Sequence, residues 1–124
     1  MNALGKHLLI ELYDCTPESL DDLAAVRTTM IEAAQMINAT VINVAGHQFQ
    51  PHGVSVIVLI AESHLSIHTW PEHGYAAVDL FTCSDRIPPS TVIEPIRQAL
   101  GARRVTSMEV HRGQLAPALV GSTS

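Results

Sequence analysis

The stretch Glu62-Ser63-His64-Leu65-Ser66-Ile67-His68-Thr69-Trp70-Pro71-Glu72 lies at the middle of a 124-residue chain. Along an extended strand side chains alternate between faces. Leu65, Ile67 and Thr69 then share one face, and His64, Ser66, His68 and Trp70 the other. Pro71-Glu72-His73-Gly74 reads as a tight turn, with Tyr75 to Cys83 as the hairpin partner. In that partner Val78 and Leu80 point one way, and Asp79, Phe81 and Cys83 the other. The simplest assignment puts Leu65, Ile67, Val78 and Leu80 beneath helices. It gathers His68, Trp70, Phe81 and Cys83 on the opposite face, as a pocket of thiol, imidazole and aromatic walls.

Outward from this hairpin the chain continues in the same style. Lys6 to Tyr13 reads as a first strand with apolar residues on both faces, hence buried on both. Thr16-Pro17-Glu18-Ser19 is a helix start, with Thr16 as N-cap and Pro17 in the first turn. Leu20, Leu23, Ala24, Met30, Ile31 and Ala34 extend one amphipathic helix to about Asn38. Thr40 to Phe49 reads as a strand, Gln50-Pro51-His52-Gly53 as a turn, and the apolar run Val54 to Ala61 as a central strand. Ser84 to Pro89 is loop. Ser90 can cap a second helix over Thr91 to Leu100, which Gly101 stops. Arg103 to His111 is the last strand, and the small, polar residues Gly113 to Ser124 read as a frayed tail. The expected fold is α+β: a two-layer sandwich of a mostly antiparallel sheet with two helices on one face, one domain over residues 1–124. The other sheet face needs a different cover.

Composition narrows the classes. Hydrophobic residues make up 47% and charged residues 15%, so the chain is globular and its surface poor in charge, which suggests a buried sheet face or a subunit interface. The net charge of -5 and the lack of a basic run argue against nucleic acid or an anionic membrane as partner. The longest apolar run is far shorter than the roughly 20 residues that span a bilayer. The N-terminus lacks a signal-peptide pattern, and the two cysteines, Cys15 and Cys83, form no disulfide framework or metal pair. A cytoplasmic protein with reduced thiols is expected.

Taken singly, a strand histidine is ordinarily a hydrogen-bonded structural residue and a buried cysteine a small hydrophobe. Their company shifts the balance, because a thiol near an imidazole can transfer protons. Ser66 and Thr69 read as strand filler. His64 and His68 stand about 13 Å apart along a strand, which does not suit one metal ion, and the other histidines lack zinc-type spacing. No glycine-rich phosphate loop or nucleophile elbow is present.

The central stretch closely resembles the prokaryotic S-adenosylmethionine decarboxylases, self-processing enzymes with a pyruvoyl group. Leu4-Gly5-Lys6-His7-Leu8, the block from His47 to Ser55, and the block from Gly74 to Cys83 resemble further parts of that family, in family order. The resemblance implies a proenzyme in which Ser63 attacks the carbonyl of Glu62. Elimination and hydrolysis then give a β chain of residues 1–62 and an α chain from 63 to 124 that opens on a covalent pyruvoyl group made from Ser63. The pyruvoyl ketone forms a Schiff base with the substrate amine and acts as electron sink when carbon dioxide leaves. By the same resemblance His68 accepts a proton during processing, Ser55 assists, and Cys83 donates a proton in decarboxylation. Phe49, Trp70 and Glu72 are the candidates for holding adenine and ribose, and no metal is expected.

Ser63 falls on the strand face opposite His68. A break in regular strand geometry at Glu62-Ser63-His64, or a strand that begins only after Ser63, is therefore expected. The expected product is decarboxylated S-adenosylmethionine, the aminopropyl donor for spermidine. Two alternatives stand beside it: a decarboxylase of the same family acting on arginine or ornithine, and a non-cleaving homologue that binds or regulates. The uncovered sheet face and low surface charge predict a homodimer with sites near its interface.

Overall fold

A computed structural model describes residues 3–61, 63–84 and 86–115. Six strands, β1 (Ala3–Tyr13), β2 (Val41–Gln48), β3 (Val54–Ile60), β4 (Ser63–Trp70), β5 (Tyr75–Thr82) and β6 (Arg104–Gln114), form one sheet of order β2-β3-β4-β5-β1-β6. Every pairing is antiparallel. Helices α1 (Pro17–Leu20), α2 (Leu23–Met36) and α3 (Ile93–Leu100) complete the fold. The two-layer reading holds, with three helices in place of two.

The alternation at the centre is as expected. Leu65, Ile67, Val78 and Leu80 are buried at 0–1% exposure, in one cluster with Met30, Ala33 and Ala34 of α2 and Ile96 and Leu100 of α3. Burying this apolar surface is the main force assembling the layers. Among the described residues no helix covers the opposite face.

Several expectations need correction. The helix expected from Thr16 to Asn38 is broken at Asp21-Asp22. Asp22 starts α2 afresh, its carboxylate accepting the Ala25 N–H at 3.1 Å. The restart shifts the buried stripe to Val26, Met30, Ala33 and Ala34, leaving Ala24 exposed. Thr16 is an N-cap by position but makes no side-chain cap bond. Ser90 is not the cap of α3: a 3₁₀ turn over Pro89–Val92 leads in, and Val92 takes the cap position. Gly101 ends α3 at φ 67, a left-handed conformation that glycine adopts at no steric cost.

The strand β1 is buried on one face only. Leu8, Ile10 and Leu12 are in the core, while Leu9 and Tyr13 stay half-exposed. The apolar run of β3 is not central either. It lies beside the edge strand β2, and Ile57 and Leu59 are 46% and 47% exposed on the open face. Apolar runs that read as doubly buried thus face outward in a single copy. The last strand runs on to Gln114, so Gly113 and Gln114 belong to the sheet and not to a tail; 116–124 lie outside the described residues.

Candidate active site

The open face of the sheet carries the chemistry. Neighbouring strands bring His68 opposite Ser55 on one side and Ala77 on the other. Ser55 Oγ lies 2.7 Å from His68 Nδ1, so the hydroxyl can donate to an unprotonated Nδ1 and hold the imidazole in place. At this end of β4 a cleft of about 380 Å³ is lined by Phe49, His52, Ser55, His68, Trp70 and Glu72, among others. Five of the residues expected from sequence therefore share one cleft. Phe49 and Trp70 are 45% and 40% exposed, large apolar rings facing an open space. His52 Nε2 lies 2.9 Å from Glu72 Oε1, which steadies that carboxylate at the cleft mouth. Trp70 and Glu72 owe their positions to the turn: Pro71–His73 winds into a 3₁₀ helix closed by Gly74 at φ 60.

Cys83 is not in that cleft. It follows the end of β5 and lines a separate cleft of about 220 Å³ with Gly5, Lys6, Thr82 and His111. The expected pocket of His68, Trp70, Phe81 and Cys83 is thus split, because antiparallel register sets His68 opposite Ala77 and His64 opposite Phe81. Phe81 stacks on the His64 ring, with centroids 5.9 Å apart.

Ser63 lies at the Cys83 end. It is the first residue of β4 and pairs with Ile60, so the strand does not wait until after Ser63. Glu62, the expected cleavage partner, lies outside the described residues. Ile60 is buried on the helix side, which puts Ser63 on the face opposite His68, as alternation requires. His68 stands five positions along from Ser63, roughly 17 Å of strand. The residues expected from sequence therefore fall at two ends of β4: Ser63 and, just past β5, Cys83 at one, and Ser55, His68, Phe49, Trp70 and Glu72 at the other.

Between them the open face carries polar pairs among apolar side chains such as Ile57 and Leu59. His7 Nε2 lies 3.1 Å from Asp79 Oδ1. The Tyr75 hydroxyl donates to Glu11. Burial, reinforced by that bond, holds the Tyr75 phenol well above the usual range, so it remains a neutral donor. Trp70, Tyr75 and Tyr13 form a ladder with centroids 5.3 and 5.6 Å apart, and the Arg104 guanidinium sits 4.0 Å over the Tyr13 ring. Among the described residues no three His, Cys, Asp or Glu side chains gather in a way that could hold a metal ion.

Sequence reasoning missed three contributors. Thr69 is not filler: it is buried, and its hydroxyl donates to Leu20 O at 2.7 Å and accepts the Val54 N–H at 2.9 Å. Asp21 and His52 brace the cleft from the α1–α2 break and from the loop before β3. The turn signal Gln50-Pro51-His52-Gly53 pointed to the loop but not to what it touches.

Comparison with known proteins is consistent across sequence and structure. The S-adenosylmethionine decarboxylase family model matches residues 6–113. The S-adenosylmethionine decarboxylase proenzyme of Thermodesulfovibrio yellowstonii is 50% identical over 113 residues, 91% of this chain and 84% of the relative. The proenzyme of Prochlorococcus marinus is 54% identical over 100 residues, 81% of this chain and 80% of the relative. The crystal structure of the adenosylmethionine decarboxylase of Aquifex aeolicus superimposes with a TM-score of 0.85 at 36% identity, covering 94% of this chain and 97% of that one. A Trypanosoma brucei AdoMetDC shares the fold at a TM-score of 0.64 and 16% identity, over 84% of this chain and 45% of that one. This chain belongs to the S-adenosylmethionine decarboxylase family.

Proposed function

We propose that the chain is a proenzyme that cleaves itself between Glu62 and Ser63 and then converts S-adenosylmethionine to decarboxylated S-adenosylmethionine and carbon dioxide, supplying the aminopropyl donor for spermidine. The observation that carries this reading is the position of Ser63: a hydroxyl at the first residue of β4, directly after the β3–β4 turn, at the same sheet end as Cys83. These residues fit a pyruvoyl group made from Ser63, with a nucleophile next to the bond to be cut and a thiol at a cleft nearby. Such a group supplies a ketone for the substrate amine and an electron sink for the pair left when carbon dioxide departs.

The chain's own groups do the rest. The Ser63 hydroxyl attacks the carbonyl carbon of residue 62, gives up its proton and turns the amide into an ester. Elimination releases residues 1–62 with a terminal carboxylate, and water then displaces ammonia from the new N-terminus of 63–124. His68 accepts the hydroxyl proton, and Ser55 supports the oxyanion of the tetrahedral stage. In the mature enzyme Cys83 delivers a proton to the substrate Cα. Phe49 and Trp70 wall the nucleoside and attract the sulfonium cation, and Glu72 accepts ribose hydroxyls.

The separation of Ser63 and Cys83 from Ser55 and His68 argues for a homodimer with shared sites. Ile57, Leu59 and Met108 leave apolar surface on the open face, with Met108 63% exposed. A two-fold pair of copies packed through these faces covers that surface. It also lets the Ser63–Cys83 end of one copy meet the Ser55–His68 end of the other. Among the described residues no helix is long and apolar enough to cross a membrane. We place the enzyme in the cytoplasm, where both cysteines stay reduced.

Carboxyl-labelled S-adenosylmethionine, arginine and ornithine, offered separately to purified protein, test the reading. Carbon dioxide from S-adenosylmethionine alone is expected. Release from arginine or ornithine with none from S-adenosylmethionine would refute the substrate assignment.

A further inference from the structure

The loop 49–53 brings Phe49 and His52 to the cleft, yet Phe49 is 45% exposed and gives the loop little apolar anchorage. Its neck is held by hydrogen bonds. The Phe49 N–H donates to Gly53 O at 2.8 Å. Gln48 Nε2 donates to Gly53 O at 3.1 Å and to Asp21 Oδ1 at 2.8 Å. The Gly53 N–H donates to the same Asp21 oxygen at 2.8 Å. Gly53 has φ 107, and a Cβ there would stand 3.3 Å from Thr69 O, so the neck has little room to rearrange. Asp21 is free for this role because Asp22, and not Asp21, caps α2. The break between α1 and α2 therefore places a carboxylate behind the loop.

We propose that Asp21 is a positioning residue for the nucleoside end of the cleft. By gripping Gly53 and Gln48 it fixes where the loop presents Phe49 against the Trp70 wall, and where His52 meets Glu72. It touches neither substrate nor reacting atoms; it lowers the cost of ordering the loop on binding. This inference rests on the decarboxylase reading of the cleft. Its signature is a change in substrate affinity with chemistry and self-cleavage preserved.

The test compares Asp21→Ala and Asp21→Asn with the wild-type protein. Asp21→Ala loses both acceptor contacts, and KM for S-adenosylmethionine should rise about tenfold while kcat stays within about twofold. Self-cleavage should proceed at the wild-type rate. Asp21→Asn keeps an acceptor oxygen, and its KM should stay within about threefold of wild type. The chain has one tryptophan, Trp70, so its fluorescence can follow titration with 5′-methylthioadenosine, a nucleoside probe that needs no turnover. Asp21→Ala should weaken that binding about tenfold as well. Unchanged KM and probe affinity would overturn the proposal; so would a fall in kcat at constant KM, or an Asp21→Asn as weak as Asp21→Ala. If wild-type protein binds the nucleoside but releases no carbon dioxide from S-adenosylmethionine, the decarboxylase reading fails while the titration still tests the positioning role of Asp21. Should Asp21→Ala fail to fold, Gln48→Ala removes one of the two donors, and a weakening of about threefold is expected.

Discussion

The Thr69 hydroxyl ties three segments together inside the core. It donates to Leu20 O, a carbonyl left over at the end of the short helix α1, and accepts the Val54 N–H at the start of β3. Thr69→Val keeps the shape and removes both bonds, leaving a buried donor and acceptor unpaired. Urea unfolding should show a loss of about 1–3 kcal/mol, with an unchanged m-value. A loss below about 0.5 kcal/mol would mean that the hydroxyl is incidental. Other residues at this scale are set by burial. The Cys15 thiol, 5% exposed, is pushed up to about 11, first by burial and then by Asp14. It therefore stays protonated and is a poor nucleophile, and it is buried where Cys83 is exposed. Two cysteines alike in sequence are separated by their surroundings.

Among the elements, the strands were the most legible part of the chain. Leu65, Ile67, Val78 and Leu80 repeat every second residue, and one buried face makes that register unambiguous. Helix phase was less legible. Leu20, Leu23 and Ala24 continue a helical period into α2, and only the cap bond from Asp22 to Ala25 shows that the chain restarts there. Two adjacent aspartates carry no signal that says which one caps and which one reaches Gly53. The site was legible as residues and not as a place. Alternation put His68 and Cys83 on one face, but alternation carries no distance along the strand. Antiparallel register then set Cys83 beyond Phe81, at the end of β4 away from His68. Phe49, Trp70 and Glu72 do share a cleft with His68, because the 71–73 turn and the 49–53 loop flank the same strand end.

For the whole molecule, the proposed homodimer accounts for both the open sheet face and the distance between Ser63 and His68. Leu9, Ile57, Leu59 and Met108 supply apolar surface that a single copy leaves uncovered, and each copy keeps Ser63 apart from His68. Shared sites make a specific forecast for mixed dimers. Ser63→Ala cannot form the cofactor but still carries His68; His68→Ala carries Ser63 but lacks the proton acceptor. Each alone should stay uncleaved and inactive. Co-expressed, the His68→Ala chain should be cleaved and the Ser63→Ala chain should not. Activity should reach roughly a quarter of wild type, since about half the dimers are mixed and each has one complete site of two. No cleavage in the mixture would place Ser63 and His68 in one copy and contradict the shared site.

Whether the chain makes its own cofactor at the Glu62-Ser63 bond is decided by the intact mass of the purified protein. Two fragments are expected, matching residues 1–62 and 63–124, the second short of the mass of a chain with an N-terminal serine and blocked to Edman degradation. A single full-length mass that persists after long incubation would contradict it.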